Sequence, residues 1–199
     1  MILITYKTHS VGGLFIGILF LGFPFSYILT YFNLYDICII LSLYIVSLYL
    51  GSLFPDIDHP KSYLGSKLSI ISKIVSSKFA HRSFTHSILL IYCLILLFTL
   101  IGIMLKIFYP YIYSAINIYL FTIECGFVIG CLSHIFFDMF NPSGVCIFYP
   151  STKRYRLPLA PTIKLHSSCE KNLRSFLSFL TYMLFLFYLY SFLEFVLIN

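Results

Sequence analysis

Five stretches of this sequence are too long and too apolar to be the interior of a small water-soluble domain: residues 11–32, 37–54, 87–108, 116–137 and 176–198. A helix needs about 20 mostly apolar residues to cross the hydrocarbon core of a bilayer. Five such runs in 199 residues leave room for connecting loops and a small polar site, not for a second folded unit. The charge content agrees. Only 10% of the residues are charged and 60% are hydrophobic, whereas a soluble domain carries about 25% charged residues to cover its surface. An ordinary soluble enzyme, a disordered tail and a free nucleic-acid-binding domain are excluded. The expected fold is an all-α integral membrane protein of about five transmembrane helices, forming one domain over residues 1–199.

The first run is full length and no small-residue cleavage site follows it, so it reads as an uncleaved helix and not as a signal peptide. No internal repeat or low-complexity linker interrupts the pattern. Cys38, Cys93, Cys125, Cys131, Cys146 and Cys169 contain no C-x-x-C pair, and neither a disulfide framework nor a thiolate metal site is indicated. The net charge of +6 is spread over two loops, which makes it an orientation signal more than a nucleic-acid footprint. With the N-terminus in the cytoplasm, Lys7, Lys61, Lys67, Lys73, Lys78, Arg82, Lys153, Arg154, Arg156, Lys164, Lys171 and Arg174 lie inside and Lys106 outside. Twelve against one places the N-terminus in and the C-terminus out. The segment Lys153-Arg154-Tyr155-Arg156 reads as an anchor on anionic headgroups.

The polar residues fall at related places. His9 precedes the first run, and Pro55-Asp56-Ile57-Asp58-His59 follows the second. His81-Arg82-Ser83-Phe84-Thr85-His86 precedes the third, and Ser133-His134-Ile135-Phe136-Phe137-Asp138 closes the fourth. Starts of odd spans and ends of even spans share one membrane face, whichever way up the protein sits. Five of the six histidines and three of the seven acids therefore gather at one face from four helix ends. His166 falls in a loop on that side and reads as a loop residue.

Each block has an ordinary reading when taken alone. His9 is then an interfacial polar residue, the Asp56-to-His59 block a solvated turn, and His134 with Asp138 a hydrogen-bonded pair inside the bundle. Together they favour a metal site, because charged groups at a membrane boundary are costly unless paired or functional. His134 and Asp138 are i and i+4, one turn apart on a single helix face. Asp56 and Asp58 flank Ile57 at a proline-broken helix end, where extended backbone would offer them to different ions. Histidine and aspartate without cysteine suit zinc first, with manganese or iron(II) also fitting. Magnesium alone is less suited to so many imidazoles. Glu124, deep in the fourth run, reads as a packing residue paired with a polar neighbour. Arg82 stands between candidate ligands, where a guanidinium can clamp a phosphate.

These residues, in this order, resemble the LexA-regulated, membrane-bound metal-dependent hydrolases of bacterial inner membranes. The resemblance is carried by Thr8-His9 with Gly12-Gly13, by Gly51-Ser52-Leu53-Phe54-Pro55-Asp56-Ile57-Asp58-His59-Pro60 and by His81-Arg82-Ser83-Phe84-Thr85-His86-Ser87. Gly130-Cys131-Leu132-Ser133-His134 follows, with Asp138, Asn141, Gly144 and Pro150. It covers about the first four fifths of the chain. The family often has glycine where this chain has Ser83, a change to the loop and not to a ligand. More distantly the pattern is similar to zinc-dependent phospholipase C and related nucleases.

The resemblance implies a multi-pass protein of the bacterial inner membrane with a cytoplasmic centre that hydrolyses a phosphoester. Its metal ligands would be His9, Asp56, Asp58, His59, His86, His134 and Asp138. His81 would be a further ligand or the acid for the leaving group, and Arg82 would hold the anion. The substrate would be a phospholipid or lipid-linked phosphate, with no nucleic acid involved; the oligomeric state is left open. Two rivals remain. A phosphohistidine lipid phosphatase is hinted at by Pro142-Ser143-Gly144, but the histidine it needs after that glycine is missing. A non-catalytic metal-binding or transport protein would use the same ligands and need a path through the membrane.

Overall fold

The computed structural model describes residues 5–157 and 167–198; Lys164 and His166 lie outside the described residues. Each apolar run becomes a helix: α1 (Tyr6–Tyr31), α2 (Leu34–Leu53), α5 (Ile88–Phe108), α6 (Pro110–Asp138) and α7 (Ser168–Ile198). The segment between α2 and α5 adds two short helices, α3 (Tyr63–Lys67) and α4 (Ser69–Lys78), and two 3-10 turns, Phe54–Asp58 and Phe84–His86. Among the described residues there is no strand, and five helices are long and apolar enough to cross a membrane. The expected all-helical, five-span architecture is the one observed.

The boundaries move in an instructive direction. α6 starts at Pro110 and not near residue 116, and α7 starts at Ser168 and not near residue 176. Tyrosine, serine and asparagine in α6, and Glu170, Lys171 and Arg174 in α7, dilute the hydropathy of these first turns. Backbone groups entering a bilayer must nevertheless be satisfied within the helix, and proline fits a first helical position. The Asp56-Ile57-Asp58 block forms a 3-10 turn, not extended chain. Pro55 opens that turn. α2 and α5 are capped by Asn33 and Ser87, whose side chains accept from Asp36 N and Leu90 N.

α2 and α6 make the tightest pair of the fold, and small residues explain it. A Cβ on Gly130 would collide with the carbonyl oxygen of Leu48, and one on Gly51 with that of Phe127. Gly126 likewise faces Ser47. Apolar side chains gain little by leaving lipid for protein, so close backbone approach through small residues drives such contacts. The stripe Gly126–Gly130 on α6 continues at i+4 spacing into His134 and Asp138. α1 repeats the scheme: Gly17 packs on Leu48 and Gly13 on Ser52 and Ser133, with His9 one turn before. Three helices thus use one face twice, for contact in the membrane and for polar chemistry at its edge.

The far ends of α1–α2 and α5–α6 are joined by very short turns, at Phe32–Asn33 and Tyr109. The longer described connections all lie at the other end, where the site is.

Candidate metal centre

At the site face the ends of α1, α2, α5 and α6 converge. Asp56 Oδ1 lies 3.6 Å from His134 Nε2 and 3.7 Å from His86 Nε2. Asp138 Oδ2 lies 3.1 Å from His86 Nε2 and 3.8 Å from His134 Nε2. One atom from each of these four residues falls within 4.8 Å of the others, and three of the four residues are fully buried. A second group, Asp56, Asp58 and His81, meets the same distance limit and shares Asp56 with the first.

The hydrogen bonds around the first group orient every donor. His134 Nδ1 donates to the carbonyl oxygen of Ser52 at 2.7 Å. That bond leaves the lone pair of Nε2 directed at the two carboxylates. His86 is held through a relay. Thr85 Oγ1 donates its hydrogen to Asp58 Oδ2 and accepts from His86 Nδ1 at 3.0 Å. His86 Nε2 is therefore also the free nitrogen. Fixing one ring nitrogen so that the other is available is how histidine is set up to bind a metal.

Asp138 is oriented the same way. Its Oδ1 accepts from Arg82 Nη2 at 3.0 Å and Asn141 Nδ2 at 2.6 Å, with His9 Nε2 3.4 Å away. Its Oδ2 is ion-paired with Arg82 Nε at 2.9 Å and also faces the two Nε2 atoms. His86 Nε2 and His134 Nε2 are thus buried ring nitrogens outside any well-formed hydrogen bond, within 4.8 Å of carboxylate oxygens of Asp56 and Asp138. Buried polar atoms are nearly always satisfied, so such a convergence needs an explanation. A divalent cation placed among them would supply the missing partner. Among the described residues the three carboxylates of Asp56, Asp58 and Asp138 outnumber the one guanidinium beside them, Arg82. The donors are imidazoles and carboxylates, which suit zinc, manganese or iron(II). The residues fit such an ion.

His86, just outside the spans, reflects the same field. Burial opposes its protonation, yet the close carboxylates of Asp138, Asp56 and Asp58 outweigh burial and raise its pKa well above the ordinary value. The carboxylates call for positive charge at the place where an ion would sit.

Arg82 is buried and has φ of 64°, in the left-handed region that costs a non-glycine residue about 1–3 kcal/mol. Several bonds hold it there. Its N–H donates to Asp58 Oδ2 at 3.1 Å, its carbonyl accepts from Cys146 N at 3.2 Å, and Nη1 donates to Ser143 Oγ. Ser83 has φ of −104°, outside the region that demands glycine.

The candidates separate by position. Asp56, His86, His134 and Asp138 form the inner group. Asp58 spends both oxygens on protein partners: Oδ1 faces His81 Nδ1 at 2.7 Å, and Oδ2 takes Arg82 N and Thr85 Oγ1. His81 Nε2 is buried and without a partner. His9 stacks on His134 with ring centroids 3.8 Å apart. His59 stands outside both groups, its ring 5.2 Å from that of His81. Glu124 has no hydrogen bond or ion pair among the described residues and does not join the centre. Thr85, Asn141 and Ser143 act in the site without having been assigned a role from sequence. Their signal was present, since all three lie within a few residues of predicted ligands.

The chain matches the YdjM inner membrane protein family over residues 4–196, almost its whole length. The chain belongs to that family. Relatives include inner membrane protein YdjM of Escherichia coli (strain K12), 42% identical over 110 residues, and the protein of the same name from Shigella flexneri, also 42% identical over 110 residues. The uncharacterized protein YvsG of Bacillus subtilis (strain 168) is 43% identical over 109 residues. These matches cover 55% of the chain; they cover 50% of each YdjM protein and 58% of YvsG, so the chain spans about half the length of the curated relatives it matches. No solved structure matches it. YdjM-family membership and the five apolar helices together make this a multi-pass protein of the bacterial inner membrane.

Proposed function

We propose that this YdjM-family protein is a membrane-bound, metal-dependent hydrolase of a phosphoester on a lipid or lipid-linked molecule, with its centre on the cytoplasmic face. The observation that carries the proposal is the convergence of Asp56, His86, His134 and Asp138, each offering one ligand atom within 4.8 Å of the others. A bound divalent cation, zinc or else manganese or iron(II), supplies Lewis acidity and a water that ionises near neutral pH. Asp56, His86, His134 and Asp138 hold it, and His9 braces His134 by stacking. His81 gives its Nδ1 hydrogen to Asp58, which leaves Nε2 to donate or accept a proton at the leaving group. Arg82 fixes Asp138, and its Nη1, resting on Ser143, is the nitrogen left to meet an anion. A centre at the membrane edge, reached from the headgroup layer, favours a lipid-borne substrate. The LexA control and the likeness to phospholipase C implied by the sequence belong to the same proposal.

The test is elemental analysis of detergent-purified wild type, His134→Ala and Asp138→Asn, followed by assay on lipid phosphoesters. Metal that disappears in both variants, with hydrolysis following it, is the expected result. Metal without hydrolysis, together with ion uptake into sealed vesicles, would replace the hydrolase by a transporter. Absence of metal after reloading would overturn both.

A further inference from the structure

α4 faces the wrong way for a helix surrounded by water. At 3.6 residues per turn, Ile70, Ile71, Ile74 and Val75 lie on one side and Ser69, Ser72, Lys73 and Ser76 on the other. A helix on a soluble protein would bury the isoleucines. Here Ser72 is the buried residue, set against Gly65 of α3, while Val75 and Ser76 are half-buried. Ile70, Ile71 and Ile74 are 75%, 49% and 53% exposed, and Leu68 continues the same surface. The apolar side turns outward, and the opposite side of the helix packs toward α3 and the 3-10 turn that carries Asp56 and Asp58. That turn ends α2 at the membrane face, so α4 lies where the bilayer surface passes.

The charge around α4 identifies what covers it. Lys61, Lys67, Lys73 and Lys78 lie on or beside the helix, and no aspartate or glutamate occurs between Asp58 and Glu124. Isoleucines flanked only by lysines match an interface of acyl chains beneath anionic headgroups. We propose that α4 is an interfacial anchor. Its isoleucines enter the acyl boundary of an anionic leaflet and its lysines meet the phosphates, tethering the ligand-bearing turn at headgroup level. This surface is distinct from the metal centre and stands whether or not the centre is hydrolytic.

The chain contains no tryptophan, so a single introduced tryptophan reports on its own position. Full-length Ile70→Trp, Ile74→Trp and Ser69→Trp proteins are reconstituted in phosphatidylglycerol vesicles containing brominated acyl chains. Positions 70 and 74 should show blue-shifted emission, quenching by bromolipid and protection from iodide, and position 69 the reverse. Both apolar positions are exposed, so either variant keeps the other interpretable should one fold poorly. Iodide quenching at 70 and 74 would overturn the proposal. Protection from both quenchers would also overturn it, assigning the face to a second copy of the chain or another protein. Exchanging phosphatidylglycerol for phosphatidylcholine should weaken bromolipid quenching, and Lys67→Gln, Lys73→Gln and Lys78→Gln together should abolish that difference. Equal quenching of Ile74→Trp in both lipids would overturn the anionic assignment.

Discussion

α6 and α7 are nearly the same object by hydropathy and opposite objects in the fold. They have 29 and 31 residues, and their most apolar stretches share a mean hydropathy of 1.8. Yet 44% of that stretch is buried inside the protein on α6 and 6% on α7. Small residues make the difference. α6 carries Gly126 and Gly130 against the backbone of α2, and the same face ends in His134 and Asp138. α7 presents Phe176, Phe179, Tyr182 and Phe187 to lipid and leans mainly on α1. Lipid satisfies phenylalanine as well as protein does, so apolarity alone decides that a helix spans, and small residues decide which spans form the centre.

The comparison breaks most directly at the small residues. Gly130→Leu would drive a branched side chain into the Leu48 carbonyl and the backbone of Ser52, neither of which can turn aside. Overpacking of this kind costs about 1–3 kcal/mol or more, and here it also separates the ligands of α2 from those of α6. The expected outcome is failure to accumulate in the membrane, or a monodisperse detergent sample that has lost its metal. Phe179→Ala on exposed α7 should stay within about 0.5 kcal/mol of wild type. Equal thermal denaturation profiles for Gly130→Leu and wild type would refute the small-residue account.

At the polar end of the same face the corresponding break is Asp138→Asn. It leaves Arg82 buried without its counter-charge, and breaking a buried pair from one side costs about 3–5 kcal/mol. The variant should be destabilised and should lose metal. Adding Arg82→Met should restore part of the stability and none of the metal, separating the structural role of the pair from its ligand role.

How much of this was readable beforehand follows from the range over which each feature is determined. The five spans were legible because hydropathy is a local average. The gathering of His9, Asp56, His86, His134 and Asp138 was legible because helix ends alternate between faces by simple parity. The pairing within that cluster was not. Arg82 meets Asp138 across 56 residues and His134 meets the Ser52 carbonyl across 82, and no local pattern encodes either contact. His59 could not be told from its neighbours by spacing, because the 3-10 turn that carries Asp56 and Asp58 ends before it and His59 leaves in extended backbone. α4 was hidden for another reason: its ten residues average out to a polar loop unless its sides are considered separately.

A subtler break in the centre comes from Thr85, which holds His86 without facing the ion site. Thr85→Val removes the hydroxyl between His86 Nδ1 and Asp58 Oδ2 while keeping the shape. Loss of such an outer partner lowers metal affinity about 10–100-fold, and Thr85→Ser should restore it. Acidity probes the same nitrogen. Because the His86 pKa is raised, the metal-free protein carries a proton at neutral pH that the metal must displace. Below that raised pKa, apparent affinity should fall about tenfold for each unit of pH, and above it the dependence should flatten. A flat profile from acid to neutral pH would remove His86 from the ligand set.

The smallest expected effect tests whether α7 belongs to the centre at all. Glu170, in the first turn of α7, is buried and takes three hydrogen bonds on Oε1: Thr5 N at 2.7 Å, Thr5 Oγ1 at 2.7 Å and Thr8 Oγ1 at 2.8 Å. Thr8 precedes His9, so this lock reaches within one residue of the ring that stacks on His134. Glu170→Gln keeps the size of the side chain and removes the charge from these bonds. Charge-assisted bonds contribute about 1.5–3 kcal/mol each in full, and substitution by a neutral acceptor retains part of that, so a loss of about 1 kcal/mol is expected. If α7 is only a peripheral span, limited proteolysis near residue 167 should accelerate while metal content stays at the wild-type value. If metal falls along with protease resistance, the α1 start needs α7 to hold His9 in place. The boundary between the centre and the lipid-facing shell would then run through α7.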